Sequence, residues 1–324
     1  MNSSVDLHLH TAASDGTDSP QELLEHLLER GIRTFSVTDH DTEAGALEME
    51  RLTAGRGGLT YFRGIEFTCV TEVRECHILG YLYRPDSPGF LSLLEKGREL
   101  RAEKMRRRIG ILRDQYHIEF TEAQMKWLAS RESAGRPHLA RLIAEDGYTS
   151  SLDEAFAILK EIKTPNDKLD AAEAVAGITS AGGIPVWAHP LGGEGARRMT
   201  PSEFDRQFSI LRGAGIRGLE CCYSRYTGEE SGFLRRLAAR NGLLISGGSD
   251  YHGKVKTISP GTLCAEQTPV NPADLTILEE LRKIQAERQK QDRNHTAAGN
   301  PPVKKAASAG PEQTVHPEAE GEFQ

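Results

Sequence analysis

Four histidine-bearing clusters end short apolar runs, and helix-like segments separate those runs. This pattern limits the chain to folds that gather distant strand ends at one mouth. The clusters are Asp6-Leu7-His8-Leu9-His10, Thr38-Asp39-His40-Asp41, Trp187-Ala188-His189-Pro190 and Gly248-Ser249-Asp250-Tyr251-His252. On a strand, residues i and i+2 point to the same face. His8 and His10 therefore share a face, as do Asp250 and His252. Imidazole and carboxylate collected this way suit a barrel with several divalent metals at its mouth.

The rest of the pattern is that of an α/β protein. Strands are predicted over 5–10, 34–38, 59–67 and 75–83. Ser19 as N-cap, Pro20 and Glu22 open a helix that stops at Gly31. A second helix spans 42–54. Alternation of strand and helix predicts parallel βα units. From Phe90 to Lys168 only helical signals occur, over 91–116, 122–130, 136–146 and 151–163. The expected organisation is a discontinuous barrel domain, 1–89 and 169–291, carrying a helical insertion subdomain at 90–168. The rhythm resumes with helices over 171–181, 201–214 and 229–241. Strands over 184–188, 218–222 and 243–247 follow them, and a final helix covers 272–291. Residues 292–324 hold Asn-Pro-Pro and a Glu-rich end with almost no large apolar residue. They cannot bury enough surface to order themselves and are expected to be a disordered tail. His295 and His316 fall in it and are left out of the site.

Composition narrows the partners. A net charge of −7 argues against broad coating of nucleic acid such as duplex DNA. The five cysteines include an adjacent pair and no CxxC, which fits neither a disulfide framework nor thiolate-bound zinc. No apolar run of about 18 residues exists, so no membrane span is expected. Met1 to Val5 lacks the features of a signal peptide. A cytoplasmic location is the expectation.

Taken singly, the candidate ligands have plain structural explanations. A His-x-His pair is common on edge strands, Asp15-Gly16 has the form of a turn, and a lone His77 suits a core histidine. His40 is harder to explain this way. It ends a buried run with Asp39 and Asp41, and Asp39 is placed to orient an imidazole. Glu66 ends a strand, where a carboxylate can bridge two ions. Taken together, His8, His10, Asp15, His40, Glu66, His77, His189, Asp250 and His252 are too many donors for one ion. They suit two or three divalent ions with mixed N and O ligands, manganese first, with iron or zinc as alternatives. Such a centre activates water and clamps an oxyanion, which is phosphoester hydrolysis.

With these motifs identified, the chain resembles the PHP (polymerase and histidinol phosphatase) family. The resemblance rests on Asp6-Leu7-His8-Leu9-His10-Thr11, Ser14-Asp15-Gly16, Thr38-Asp39-His40-Asp41, Gly64-Ile65-Glu66, His77-Ile78-Leu79-Gly80-Tyr81, Ala188-His189-Pro190 and Gly248-Ser249-Asp250-Tyr251-His252-Gly253. It implies a distorted (β/α)7 TIM-like barrel with an inserted helical subdomain and a trinuclear centre. It also implies a ligand partition. His8, His10, Glu66 and Asp250 would hold one ion, Glu66, His77 and His189 a second, and Asp15, His40 and His252 a third. Within the family, the insert resembles the branch of nucleoside 3′,5′-bisphosphate phosphatases and 5′-to-3′ oligoribonucleases. Arg101, Lys104 and Arg108 recur at helical spacing on one face. Arg136 and His138 stand at a helix start, where free N–H groups favour phosphate. These five are the expected substrate-binding residues. The segment Lys160-Glu161-Ile162-Lys163-Thr164-Pro165-Asn166 departs from that branch, so a different far wall is expected.

The implied reaction is attack of water on the phosphorus of a small nucleotide or short RNA. His40, His252 and Asp250 are the candidate catalytic residues, with His40 or His252 as candidate proton donors. Bases are expected to stack on Tyr223 or Tyr226. A histidinol-phosphate-type phosphatase is an alternative, although it has no need of the basic insert. An amidohydrolase would commonly use a bridging Lys, and no Lys ends a strand here. A non-catalytic module would be expected to lose ligands.

Overall fold

The structure, a computed structural model, describes residues 4–165, 167–193 and 197–297. The first elements are β1 (Val5–Leu9), α1 (Pro20–Glu29), β2 (Thr34–Val37), α2 (Ala44–Thr53), β3 (Thr60–Tyr61), β4 (Gly64–Val70) and β5 (Glu75–Tyr81). Four consecutive helices follow: α3 (Pro88–Tyr116), α4 (Glu122–Ala129), α5 (Arg136–Glu145) and α6 (Leu152–Glu161). The chain continues with β6 (Leu169–Asp170), α7 (Ala171–Ser180), β7 (Ile184–Ala188), α8 (Pro201–Ala214), β8 (Gly218–Tyr223), α9 (Gly228–Arg240), β9 (Leu244–Gly248) and α10 (Ile277–Ala297). Local chemistry explains many boundaries. Ser19 and Glu22 form the reciprocal capping box at α1, and Thr121, Thr200 and Thr227 do the same at α4, α8 and α9.

The strands form two sheets, ordered β1-β2-β3 and β6-β4-β5-β7-β8-β9. Single bridges, Leu9 with Tyr251 and His40 with Glu66, tie the two sheets together at two seams. The Tyr251 carbonyl accepts from His10 N–H, and the Glu66 carbonyl accepts from Asp41 N–H. Gly248 is needed at the first seam, because a Cβ there would lie 2.3 Å from the Cβ of His8. The architecture is a distorted barrel-like α/β fold without one continuous ladder.

The expectation of parallel units fails at β5, which is antiparallel to both β4 and β7. Only Thr71–Arg74 separates β4 from β5, too short for a crossover helix, so the two strands form a hairpin. The strand expected over 59–67 is also split, and its second half extends to Val70.

The main hydrophobic core includes Ile65, Phe67, Leu79, Trp187 and Leu219, packed against Phe90, Leu93 and Leu94 of α3. A separate cluster of Met105, Leu112, Leu139, Ile143 and Leu159 unites α3, α5 and α6. The final helix begins at Ile277 and runs to Ala297, past the expected boundary at Asp292. Gln, Glu, Lys and Arg sustain it, and no proline occurs before Pro301. The rest of the expected tail, His316 included, lies outside the described residues. No helix among the described residues is long and apolar enough to cross a membrane.

Candidate metal centre

Glu66, 1% exposed near the start of β4, is the hub of a histidine cluster. Its Oε2 lies 3.2 Å from His8 Nε2, His10 Nε2 and His40 Nδ1. Its Oε1 lies 2.9 Å from His77 Nδ1 and 3.1 Å from His189 Nε2. Five imidazoles from four separate segments thus meet one carboxylate. Asp250 Oδ1 stands 3.3 Å from His10 Nε2 and 3.5 Å from His8 Nε2. Asp15 completes the far side, with Oδ1 3.2 Å from His252 Nε2 and Oδ2 3.8 Å from His40 Nε2. All nine residues singled out in the sequence come together.

The donor set fits divalent metal. Three groups have ligand atoms within 4.8 Å of one another: His8, His10, Glu66 and Asp250; His10, Asp15, His40 and His252; and His40, Glu66 and His77. The first equals a group in the partition implied by the family resemblance. The second adds His10 to the expected trio, and the third pairs His77 with His40. His189 stands outside these groups although it reaches Glu66 Oε1. The Nε2 atoms of His8 and His10 face each other at 3.1 Å. His10 Nδ1 and His40 Nδ1 are buried without a hydrogen-bond partner. Neighbouring nitrogens aimed at one point, beside acceptor-only carboxylates, are what a cation would satisfy.

The supporting shell explains the geometry. His189 and Asp250 both have positive φ, 31° and 58°, as does Asp41 at 50°. This is strained backbone for non-glycine residues and clusters where a site imposes it. Asp250 Oδ2 accepts from Lys256 Nζ at 2.7 Å and from Tyr223 OH at 3.0 Å, leaving Oδ1 toward the imidazoles. Glu220, fully buried in β8, accepts from His8 Nδ1 at 2.9 Å and from His189 N–H at 2.7 Å. Neither Glu220 nor Lys256 stood out in the sequence. For Glu220 the signal was present, as the single charged residue in the strand Gly-Leu-Glu-Cys-Cys-Tyr. Asp39 does not orient an imidazole through any described hydrogen bond. Its carboxylate accepts instead from Thr11 N–H, Thr11 Oγ1 and Ser14 Oγ, bracing the loop that carries Asp15.

Electrostatics divide the imidazoles. Burial opposes charging of His10, but the Asp250 and Glu66 carboxylates outweigh it and push the ring up to about 9. Burial is likewise outweighed at His77, which Glu66 and Glu75 push up to about 10. His40 and His252 are held below the usual range by burial and by cationic neighbours. Glu66, Asp15 and Asp250 lie well below the carboxylate range, because the cations facing them overcome burial. The sign of the resulting pH dependence follows. His10 and His77 stabilise the metal-free fold fully below about pH 6.5, and that contribution is lost as pH rises through 9 and 10. The depressed carboxylates and the neutral pair lose theirs on the acid side. Thermal melts in chelator should therefore fall between pH 7 and 10, the losses at His10 and His77 together outweighing the opposite rise from Lys104, which is brought down to about 7. A flat or rising profile over that range would contradict this charge assignment.

The centre opens into a cavity of about 790 Å³. Its other wall carries Arg74, Arg101, Lys104, Arg108, Arg136 and Lys168. Among the described residues, Lys104, Arg108 and Arg136 form no ion pair, and Arg108 Nε is buried without a partner. Burial, and then Lys168, brings Lys104 down to about 7, while burial, Arg136 and Arg101 bring Arg108 down to about 10. Such crowding of like charge favours a bound anion. Arg101 differs, since Nε and Nη2 hold Asp41 Oδ2 at 2.9 and 2.6 Å.

His138 does not line the cavity. Its Nδ1 accepts from Gly135 N–H at the start of α5, and its ring packs on Trp127. Stacking of bases on Tyr223 or Tyr226 is ruled out, because both are buried and their hydroxyls donate to Asp250 or accept from Leu191 N–H. From the divergent segment Lys160 lines the cavity, together with Asp153, Phe156 and Asp167, and Asn166 lies outside the described residues.

The PHP domain family matches residues 6–164. A 5′-3′ exoribonuclease of Haemophilus influenzae is 32% identical over 256 residues, covering 78% of this chain and 91% of the relative. A 3′,5′-nucleoside bisphosphate phosphatase of Chromobacterium violaceum is 28% identical over 255 residues, covering 76% and 87%. Among solved structures, a Bifidobacterium adolescentis protein assigned as a metal-dependent phosphoesterase is similar with a TM-score of 0.70. It is 27% identical, and the match covers 83% of this chain and 97% of that one.

Proposed function

Since this chain belongs to the PHP domain family, we propose that it is a phosphoesterase acting on nucleoside 3′,5′-bisphosphates and short 5′-phosphorylated RNA. One observation carries the substrate reading. A cluster suited to divalent metal lines the same cavity as three cations that have no ion-pair partner among the described residues. A substrate with a phosphate at each end would satisfy both walls. A histidinol phosphate has one phosphate and would leave the cations unmatched.

His8, His10, Asp15, His40, Glu66, His77, His189, Asp250 and His252 would hold two or three ions, with manganese as our first choice. Ions held there supply Lewis acidity and water activated near neutral pH. Arg108 and Arg136 hold the second phosphate, with Lys104 beside them, and so position the scissile ester. Buried Arg101 fixes Asp41 and the wall between the two phosphates. His40 and His252, held neutral, each keep a ring nitrogen free of its proton, as ligation of an ion requires. The helical segment 90–168 acts as the insertion that carries this second wall. We place the enzyme in the cytoplasm.

The test is phosphate release and product length with manganese-loaded protein. Substrates are adenosine 3′,5′-bisphosphate, 5′-AMP, histidinol phosphate and a 5′-phosphorylated RNA pentamer. Turnover of the bisphosphate or the RNA is expected, and His40→Ala should abolish it. Arg136→Ala should raise KM roughly ten- to hundredfold, the worth of one hydrogen bond to a charged group. Turnover confined to histidinol phosphate would sink the role given to the basic wall.

A further inference from the structure

Glu220 is the one charged residue of β8, a strand buried along its whole length. A carboxylate that deep needs donors, and it has two, His8 Nδ1 at 2.9 Å and His189 N–H at 2.7 Å. An ionised carboxylate only accepts, so His8 carries its proton on Nδ1 and turns Nε2 toward His10, Glu66 and Asp250. His189 sits at a strained φ of 31°, and the bond from its N–H to Glu220 helps to fix that conformation. Its ring reaches Glu66 Oε1, whereas His8 reaches Oε2. One side chain therefore sets the position of imidazoles on both flanks of the hub carboxylate.

We infer that Glu220 is a positioning residue that couples the two flanks of the metal centre, so that ions held through His8 and through His189 are gained and lost together. The inference rests on the metal reading of the cluster given above. Gln at position 220 offers one acceptor oxygen and one NH2, so one of the two N–H donors would face another donor. Asp is one methylene shorter and cannot span both contacts.

The experiment titrates Mn²⁺ into metal-free protein and counts bound metal in wild type, Glu220→Gln, Glu220→Asp and His189→Ala. Apo melting temperatures are measured beside the titrations. Glu220→Gln should weaken Mn²⁺ binding roughly ten- to hundredfold, the usual effect of removing a partner that orients a ligand. Ions on both flanks should go together, whereas His189→Ala should lose one flank only. Glu220→Asp should bind more weakly than wild type and decides the matter where Glu220→Gln does not fold. Wild-type affinity and count in a folded Glu220 variant, with only the melting temperature lowered, would overturn the inference and leave the metal site standing. Wild-type protein that binds no Mn²⁺ would overturn both. An independent readout is the imidazole ¹⁵N spectrum of Zn²⁺-loaded wild type. A His8 proton on Nδ1 is expected, and a proton on Nε2 would overturn the coupling.

Discussion

Glu66→Gln is expected to lower kcat/KM by roughly 10²- to 10³-fold, the order seen when a preorganised charge-stabilising group is removed. The substitution keeps volume and shape, so packing of β4 should survive. It removes the one negative charge that touches His8, His10, His40, His77 and His189 together. Gln also presents an NH2 where two or three ring nitrogens now find an acceptor. Bound metal should fall along with activity. In chelator, the alkaline loss of stability described above should shrink, because His10 and His77 would no longer be pushed up by this carboxylate. Metal content and turnover near wild type in Glu66→Gln would refute the placement of the centre on this residue.

Arg101→Met is expected to act on the fold first. The guanidinium holds Asp41 Oδ2 through two nitrogens and donates to Thr68 Oγ1 at 2.8 Å. The Asp41 side chain is 3% exposed and sits on strained backbone. Removing the cation leaves a buried carboxylate facing no counter-charge, a change that costs about 3–5 kcal/mol. The urea midpoint should fall accordingly. Arg136→Ala removes a cavity cation that has no ion pair among the described residues, so it should weaken substrate and change stability by no more than about 0.5 kcal/mol. The two variants thus separate a structural cation from a substrate cation on the same wall. Arg101→Met with an unchanged midpoint and a raised KM would reverse that assignment.

The ligands were legible because each lies at a point where a local rule breaks. His40, His189 and Asp250 interrupt apolar runs that have no packing reason to stop there. His8 and His10 keep the period of a strand. The basic face of α3 was legible from helical spacing alone. The antiparallel hairpin was harder to see, since the apolar pattern of β5 does not state its direction. Only the four-residue gap before it does so. Glu220 left a signal, one charge in an otherwise uncharged strand, but nothing in the sequence names what it pairs with. Its partners lie 212 and 31 residues away. Tyr223 and Tyr226 misled for a similar reason. An aromatic near a site reads as a platform until its hydroxyl is seen to be engaged inside the core. His138 followed its motif to the right helix terminus, where its ring bonds to the backbone rather than facing the cavity.

Helix α3 runs unbroken for 29 residues, with Phe90, Leu93 and Leu94 seated in one core and Met105 and Leu112 in the other. It therefore acts as a spindle whose angular setting both cores lock. Inserting or deleting one residue between Leu94 and Arg101 would rotate Arg101, Lys104 and Arg108 by about 100° relative to the barrel seat, given 3.6 residues per turn. Lineages that change substrate length should therefore vary in the turns between α4 and α6 and keep the length of α3 constant. Engineers seeking a longer or shorter reach should likewise edit those turns.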